Sequence, residues 1–74
     1  MDISSFVDDF VNLFDDMDPD VVTVDTFFRD MDQWDSLTTM AFMNMVSMKY
    51  GKALSVDEMM KCQTVSDLYK IISE

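Results

Sequence analysis

Trp34-Asp35-Ser36-Leu37 stands between a loop rich in aspartate and an apolar run that continues to Tyr50-Gly51. No glycine or proline interrupts that run. An aspartate directly before such a stretch is a good helix N-cap. Capping at Asp35 places Ser36 in the first helical turn, where side chains usually face outward. There its hydroxyl lies beside unpaired backbone N–H groups and the positive end of the helix dipole, a favourable setting for a phosphate. Three residues alone recur by chance, and by themselves they describe an ordinary polar residue in a first turn. The rest of the chain has to decide.

The spacing predicts a helix over residues 36–50. Thr39, Phe42, Met43, Val46 and Tyr50 share one face, and Leu37, Met40, Ala41, Asn44, Met45 and Met48 cover the other. A helix apolar nearly all round is usually buried. A domain this small has few elements left to cover a second face. The expectation is therefore that the Leu37–Met40–Met48 side is exposed and docks partners, since methionine-rich surfaces adapt to varied shapes. Gly51 is a good helix stop.

Upstream, Ile3, Phe6, Val7, Phe10, Leu13, Phe14 and Met17 recur at three-and-four spacing, predicting a helix over residues 2–17. Asp2 is its expected N-cap, and Asp8, Asp9, Asp15 and Asp16 lie mostly off the stripe. Each buried phenylalanine contributes about 1.5–3 kcal/mol. Residues 18–35 then read as a long loop, pinned by Val21, Val22 and Val24. Thr26 or Asp25 is expected to cap a short turn holding Phe27 and Phe28. These two rings, with Met31 and Trp34, should order the loop and hold the following serine in place. Its length alone suggests a function. The aspartates do not make an EF-hand. A loop opening at Asp16 has Val21 and Phe27 where glycine and glutamate belong, and one opening at Asp30 has Asp35 and Ala41.

Downstream, Ser55-Val56-Asp57-Glu58 fits a capping box opening a short helix. Thr64-Val65-Ser66-Asp67 resembles a second, opening a last helix whose stripe is Val65, Leu68, Tyr69 and Ile72. The fold class expected is all-α: a small four-helix bundle, three main helices plus one short one, with a long ordered loop between the first and second. Residues 1–74 make one domain, near the lower end of what folds unaided.

Composition narrows the chemistry. There is no histidine, so the commonest general base and metal ligand is missing. The single cysteine, Cys62, cannot form an internal disulfide and reads as a buried, inert thiol. It fits a reducing, cytoplasmic compartment. Met1-Asp2-Ile3-Ser4 shows no secretory signal, and the uncharged run Ser36–Met48 is too short and polar to span a bilayer. The net charge is −10, and all of it lies before Ser36, where eleven aspartates face one arginine. Such a surface disfavours nucleic acid and anionic membrane and favours basic protein partners, besides keeping a small protein soluble and monomeric.

Taken together, the order of elements and the size resemble the acyl carrier protein family over essentially the whole chain. The pieces carrying the resemblance are Phe28 a turn before the motif, Asp35-Ser36-Leu37, Tyr50-Gly51 at the helix end, Leu54 ahead of a short acidic helix, and Thr64-Val65 at the last helix. The resemblance implies a carrier rather than an enzyme. It implies that Ser36 bears 4′-phosphopantetheine, transferred from coenzyme A by a Mg²⁺-dependent phosphopantetheinyl transferase when the serine hydroxyl attacks the phosphate. Asp35, the motif neighbour, then either orients that complex or only caps the helix. The arm's thiol would carry acyl intermediates of fatty acid, polyketide or a related specialised pathway between acyl-activating or synthase enzymes. Methionines such as Met43 and Met60 would let a chain slip into the core, or simply fill space. Alternatives are an aminoacyl or peptidyl carrier, and an acidic helical interaction module without a prosthetic group.

Two departures bear on partners. Gln33-Trp34 replaces the small pair usual in carriers of primary fatty acid synthesis, and Trp-Asp-Ser-Leu looks more like stand-alone carriers of specialised pathways. Family members typically present acids on the central helix, whereas Ser36–Tyr50 contains none. The acidic contribution to docking is therefore expected from Asp30, Asp32 and Asp35, and the apolar contribution from Leu37, Met40, Asn44 and Met48.

Overall fold

The computed structural model describes residues 2–14 and 17–73. Four helices follow in order: α1 (Ile3–Val11), α2 (Ser36–Tyr50), α3 (Val56–Lys61) and α4 (Val65–Ser73). Two short 3₁₀ turns, Pro19–Val21 and Phe28–Asp30, punctuate the loop between α1 and α2. No strand is present among the described residues, and the all-α bundle expected from the periodicities is what forms.

Asp2 caps α1, its carboxylate accepting from Ser4 N–H at 3.2 Å. The helix is shorter than its apolar stripe. From Leu13 onward the backbone bonds reach back three residues instead of four, Leu13 N–H to Phe10 and Phe14 N–H to Val11. The chain tightens into a turn after Asn12, a residue whose side chain competes with helical hydrogen bonding. Leu13, Phe14 and Met17 still pack against the core, but from outside the helix. Asp15 and Asp16, and with them an EF-hand register opening at Asp16, lie outside the described residues.

Helix α2 runs through the middle. Phe42 and Val46 are fully buried on one face, with Thr39, Met43 and Tyr50 half-buried beside them. Gly51 ends it at φ 67°, the left-handed conformation that costs other residues about 1–2 kcal/mol. Reciprocal bonds between Ser55 and Glu58 close the capping box that starts α3. At α4, Thr64 Oγ1 accepts from Asp67 N–H, and the Asp67 carboxylate accepts from the N–H groups of Gln63 and Thr64. Val65, Leu68 and Ile72 are buried, and Tyr69 sits half-buried at the margin.

The loop is held more by backbone than by valines. Val22 is buried, Val24 is half-buried, and Val21 is exposed, contrary to the expectation of three buried anchors. What fixes the segment is α4. Val65 N–H donates to Thr26 C=O at 3.1 Å and Ser66 N–H to Val24 C=O at 2.9 Å, and an isolated antiparallel bridge joins Phe27 to Thr64. Two N–H groups at the start of α4, which have no partner within the helix, thus find carbonyls in the loop. That pairing turns Phe28 inward and Phe27 outward, so only Phe28 of the two rings is a core residue. Neither Thr26 nor Asp25 caps the turn at Phe28, which has no side-chain cap. Thr26 Oγ1 instead accepts from Thr23 N–H at 2.8 Å, closing the preceding turn.

One cation completes the loop's anchoring. The Arg29 guanidinium donates to Met59 C=O at 2.7 Å and to Cys62 C=O. These carbonyls lie at the C-terminal end of α3, where helical acceptors lack partners and positive charge is favoured.

Candidate functional site

Ser36 is the first residue of α2 and is exposed. Its position is determined on both sides. Ahead of it, Trp34 stacks on Phe10 (centroids 5.9 Å, planes 16° apart) and meets Phe28 edge-on at 4.9 Å. Behind it, the Asp35 carboxylate accepts from Thr38 N–H at 2.7 Å. Asp35 C=O takes both the N–H and the hydroxyl of Thr39 at 2.9 Å, and Thr38 Oγ1 reaches back to Gln33 C=O at 3.3 Å. The aromatic anchor and the capped first turn together present one hydroxyl to solvent at the N-terminus of a 15-residue helix.

The hydrogen bonds from Thr38, backbone first, hold the Asp35 carboxyl below its usual range. A carboxylate so engaged and so acidic is a poor general base for the neighbouring hydroxyl. Asp35 is thus engaged as the cap of α2 rather than free to activate the neighbouring Ser36 hydroxyl. No cluster of metal-ligating side chains occurs among the described residues.

The residues expected to meet partners surround the hydroxyl unevenly. Leu37, Met40 and Met48 are 77%, 68% and 80% exposed, large values for apolar side chains on a central helix. Asn44 is exposed between them, its amide donating to the Met48 sulfur at 3.6 Å. Met45, on the same side of the sequence wheel, is half-buried and leaves this ridge. Asp30 and Asp32 are exposed in the loop leading to the motif. Met60, expected in the core, is instead 67% exposed, because the six-residue α3 turns Met59 inward in its place.

Two openings flank α2. One, of about 450 Å³, is lined by Leu13, Phe14 and Met17 on one side and by Gln33, Leu37, Thr38 and Ala41 on the other. A smaller one of about 200 Å³ lies toward α3, among Trp34, Thr39, Met59 and Met60.

Nothing in the sequence around Asp9 signals its two partners. Asp9, on α1, accepts from Lys49 at 2.5 Å and from the Tyr50 hydroxyl. Burial opposes its charge, but these donors outweigh burial and hold the carboxyl below its ordinary range. Burial, reinforced by the hydrogen bond to Asp9 and its charge, pushes the Tyr50 phenol up to about 12. Asp9 therefore locks α1 to the end of α2, though it reads as one more solvating acid. Cys62 is buried as expected, its thiol donating to Glu58 C=O at 3.4 Å, and burial pushes its pKa up.

The family is shown directly: residues 9–72 match the model of the phosphopantetheine attachment site, and the chain belongs to that family. No curated protein and no solved structure gave a match. Proteins of this family are carriers of covalent 4′-phosphopantetheine rather than enzymes. An exposed hydroxyl at a helix N-terminus fits a phosphodiester-linked arm. No helix among the described residues is long and apolar enough to cross a membrane.

Proposed function

We propose that Ser36 is the attachment point and that the chain, a single domain, ferries acyl intermediates between enzymes of fatty acid, polyketide or a related specialised pathway. The observation carrying this reading is the exposed Ser36 hydroxyl, held at the positive end of α2 between a packed tryptophan and a bonded Asp35 cap. Asp35 acts first as the cap. When bound, the prosthetic arm supplies a thiol that holds acyl groups as thioesters. The chain's residues present the serine oxygen so that it can displace coenzyme A's nucleotide portion on a phosphopantetheinyl transferase. The metal and the positioning needed for phosphoryl chemistry come from that enzyme.

Partners on this reading dock on Leu37, Met40, Asn44 and Met48, with Asp30 and Asp32 meeting basic side chains. The ridge holds no acid, so apolar contact provides the affinity and the loop acids orient the approach. The acyl reading is favoured over an aminoacyl one by the apolar surfaces on both sides of the motif. A monomer in the cytoplasm fits the acidity and the free, buried Cys62.

Intact-mass measurement after incubation with coenzyme A, Mg²⁺ and a broad-specificity transferase tests the attachment. The parent chain gains one phosphopantetheine, and Ser36→Ala gains none. Loading of Ser36→Ala, or no loading of the parent while a known carrier is modified alongside, overturns the assignment. Tandem mass analysis of cargo on protein from its native cell separates acyl from aminoacyl.

A further inference from the structure

Sulfur is divided unevenly between the interior and the surface of the molecule. The Cys62 thiol is buried, and burial pushes its pKa up, so the reactive thiolate is disfavoured there. Met59 is buried, and Met17, Met31, Met43 and Met45 are half-buried. Among the described residues the thioethers open to solvent are those of Met40, Met48 and Met60. Met60 belongs to α3. Met40 and Met48 stand on the exposed ridge of α2. They share it with Asn44, and the spacing of four residues puts all three in one row along the helix. Met40 lies one turn, about 6 Å along the axis, from Ser36.

Oxidation of methionine selects by access. The sulfur lone pair attacks one oxygen of hydrogen peroxide. An S–O bond forms and the O–O bond breaks. The proton on the transferred oxygen passes to the departing one, which leaves as water. Sulfur is oxidised by two electrons and the peroxide is reduced by two. A soft apolar group becomes a polar sulfoxide, a change that disrupts methionine-rich contacts and that reductases reverse. The Asn44 amide already donates to the Met48 sulfur at 3.6 Å. A thioether accepts weakly. A sulfoxide oxygen accepts strongly, so the same amide is placed to hold the oxidised form of Met48 in the row.

We propose that Met40 and Met48 form a reversible modification site, where a peroxide makes methionine sulfoxide and thereby weakens the docking of partner proteins on α2. The inference rests on the ridge being the docking surface. At Met40, a sulfoxide oxygen pressed against an apolar partner loses its water and carries that desolvation cost into the complex. At Met48, the oxygen takes up the Asn44 amide, and the row loses a polar docking group together with an apolar one. Both side chains are exposed, so the core and the capped turn at Ser36 keep their contacts.

The test uses the full chain before loading, so that no thiol of the arm is present. The chain is treated with hydrogen peroxide, freed of it with catalase, and mapped by peptide mass. Met40 and Met48 gain oxygen ahead of Met59. A broad-specificity phosphopantetheinyl transferase then loads the treated chain from coenzyme A. Its KM for the chain rises several-fold, while kcat and the cooperative unfolding of the chain stay near the untreated values. Methionine sulfoxide reductases acting on both epimers restore the KM. A chain carrying Met40→Leu and Met48→Leu shows no change on treatment, whatever its starting KM, and Met60→Leu responds as the parent does. An unchanged KM in a chain oxidised at both positions, or a peroxide effect that persists in the doubly substituted chain, overturns the proposal. Met40→Glu, untreated, reads the docking surface by itself. An unaltered KM there removes the ridge as that surface and the modification's effect with it. A raised KM there, beside an unchanged KM in the oxidised chain, removes the modification alone.

Discussion

The two faces of α2 are built from similar residues and meet different fates. Phe42 and Val46 are fully buried, while Leu37, Met40 and Met48 are more than two-thirds exposed. Hydropathy does not separate them. The separation comes from what the remaining chain can supply: α1, the aromatic loop and α4 cover one side, and nothing among the described residues covers the other. In a domain this small the limiting quantity is covering elements, not apolar residues, and the surplus becomes surface.

Truncation sharpens that comparison most. Phe42→Ala removes a ring in contact with Phe6, Phe10 and Trp34, and should cost about 3–5 kcal/mol in denaturant unfolding. Met48→Ala on the other face should stay within about 0.5 kcal/mol. Equal losses at the two positions would break the distinction. Next, Asp35→Ala removes the cap that both faces share, lowering the melting temperature less than Phe42→Ala and slowing loading of Ser36 by loosening its turn. Loading at the parent's rate would show that the cap does not position the serine.

The covered face also has a pH signature at its end. Because the Asp9 carboxyl is held below its ordinary range, its contribution is complete above about pH 4 and lost as the pH falls through the lowered value. Tyr50, raised to about 12, contributes fully below about pH 10 and loses that contribution as the pH rises toward 12. Asp9→Asn should flatten part of the acid limb of a melting-temperature profile, and Tyr50→Phe its alkaline limb. An unaltered profile in both would remove the lock between α1 and α2. The smallest effect on stability and the largest on exchange with partners belongs to Met40→Glu. It should unfold within about 0.5 kcal/mol of the parent. A charge in an apolar contact should weaken partner binding by tenfold or more, about 1.4 kcal/mol per decade.

What could be read beforehand was what is local. The caps at Asp2, Asp35 and Ser55 and the stop at Gly51 depend on neighbours within four residues, and each stands where its pattern places it. The exposure of Ser36 follows from the Asp35 cap for the same reason. Long-range partners were not legible. Arg29 finds carbonyls thirty and more positions away, and Asp9 finds Lys49 and Tyr50 forty positions on. Phe27 and Phe28 are chemically identical, and only the pairing of the loop with Thr64 decides which turns inward. The early end of α1 was hidden by a stripe that continues past it, since apolar spacing records burial and not helical bonding. The opening between the turn after α1 and the start of α2 was invisible for that reason.

Helix α3 has six residues, well short of the roughly 12–15 needed for a helix to hold itself in water. A guanidinium from a distant part of the chain bonds the carbonyls of Met59 in its last turn and of its C-cap, Cys62. A peptide spanning residues 55–63 should therefore be unstructured in isolation. During refolding this element should acquire protection only after the loop has docked, so that the shortest helix is among the last pieces of the molecule to exist.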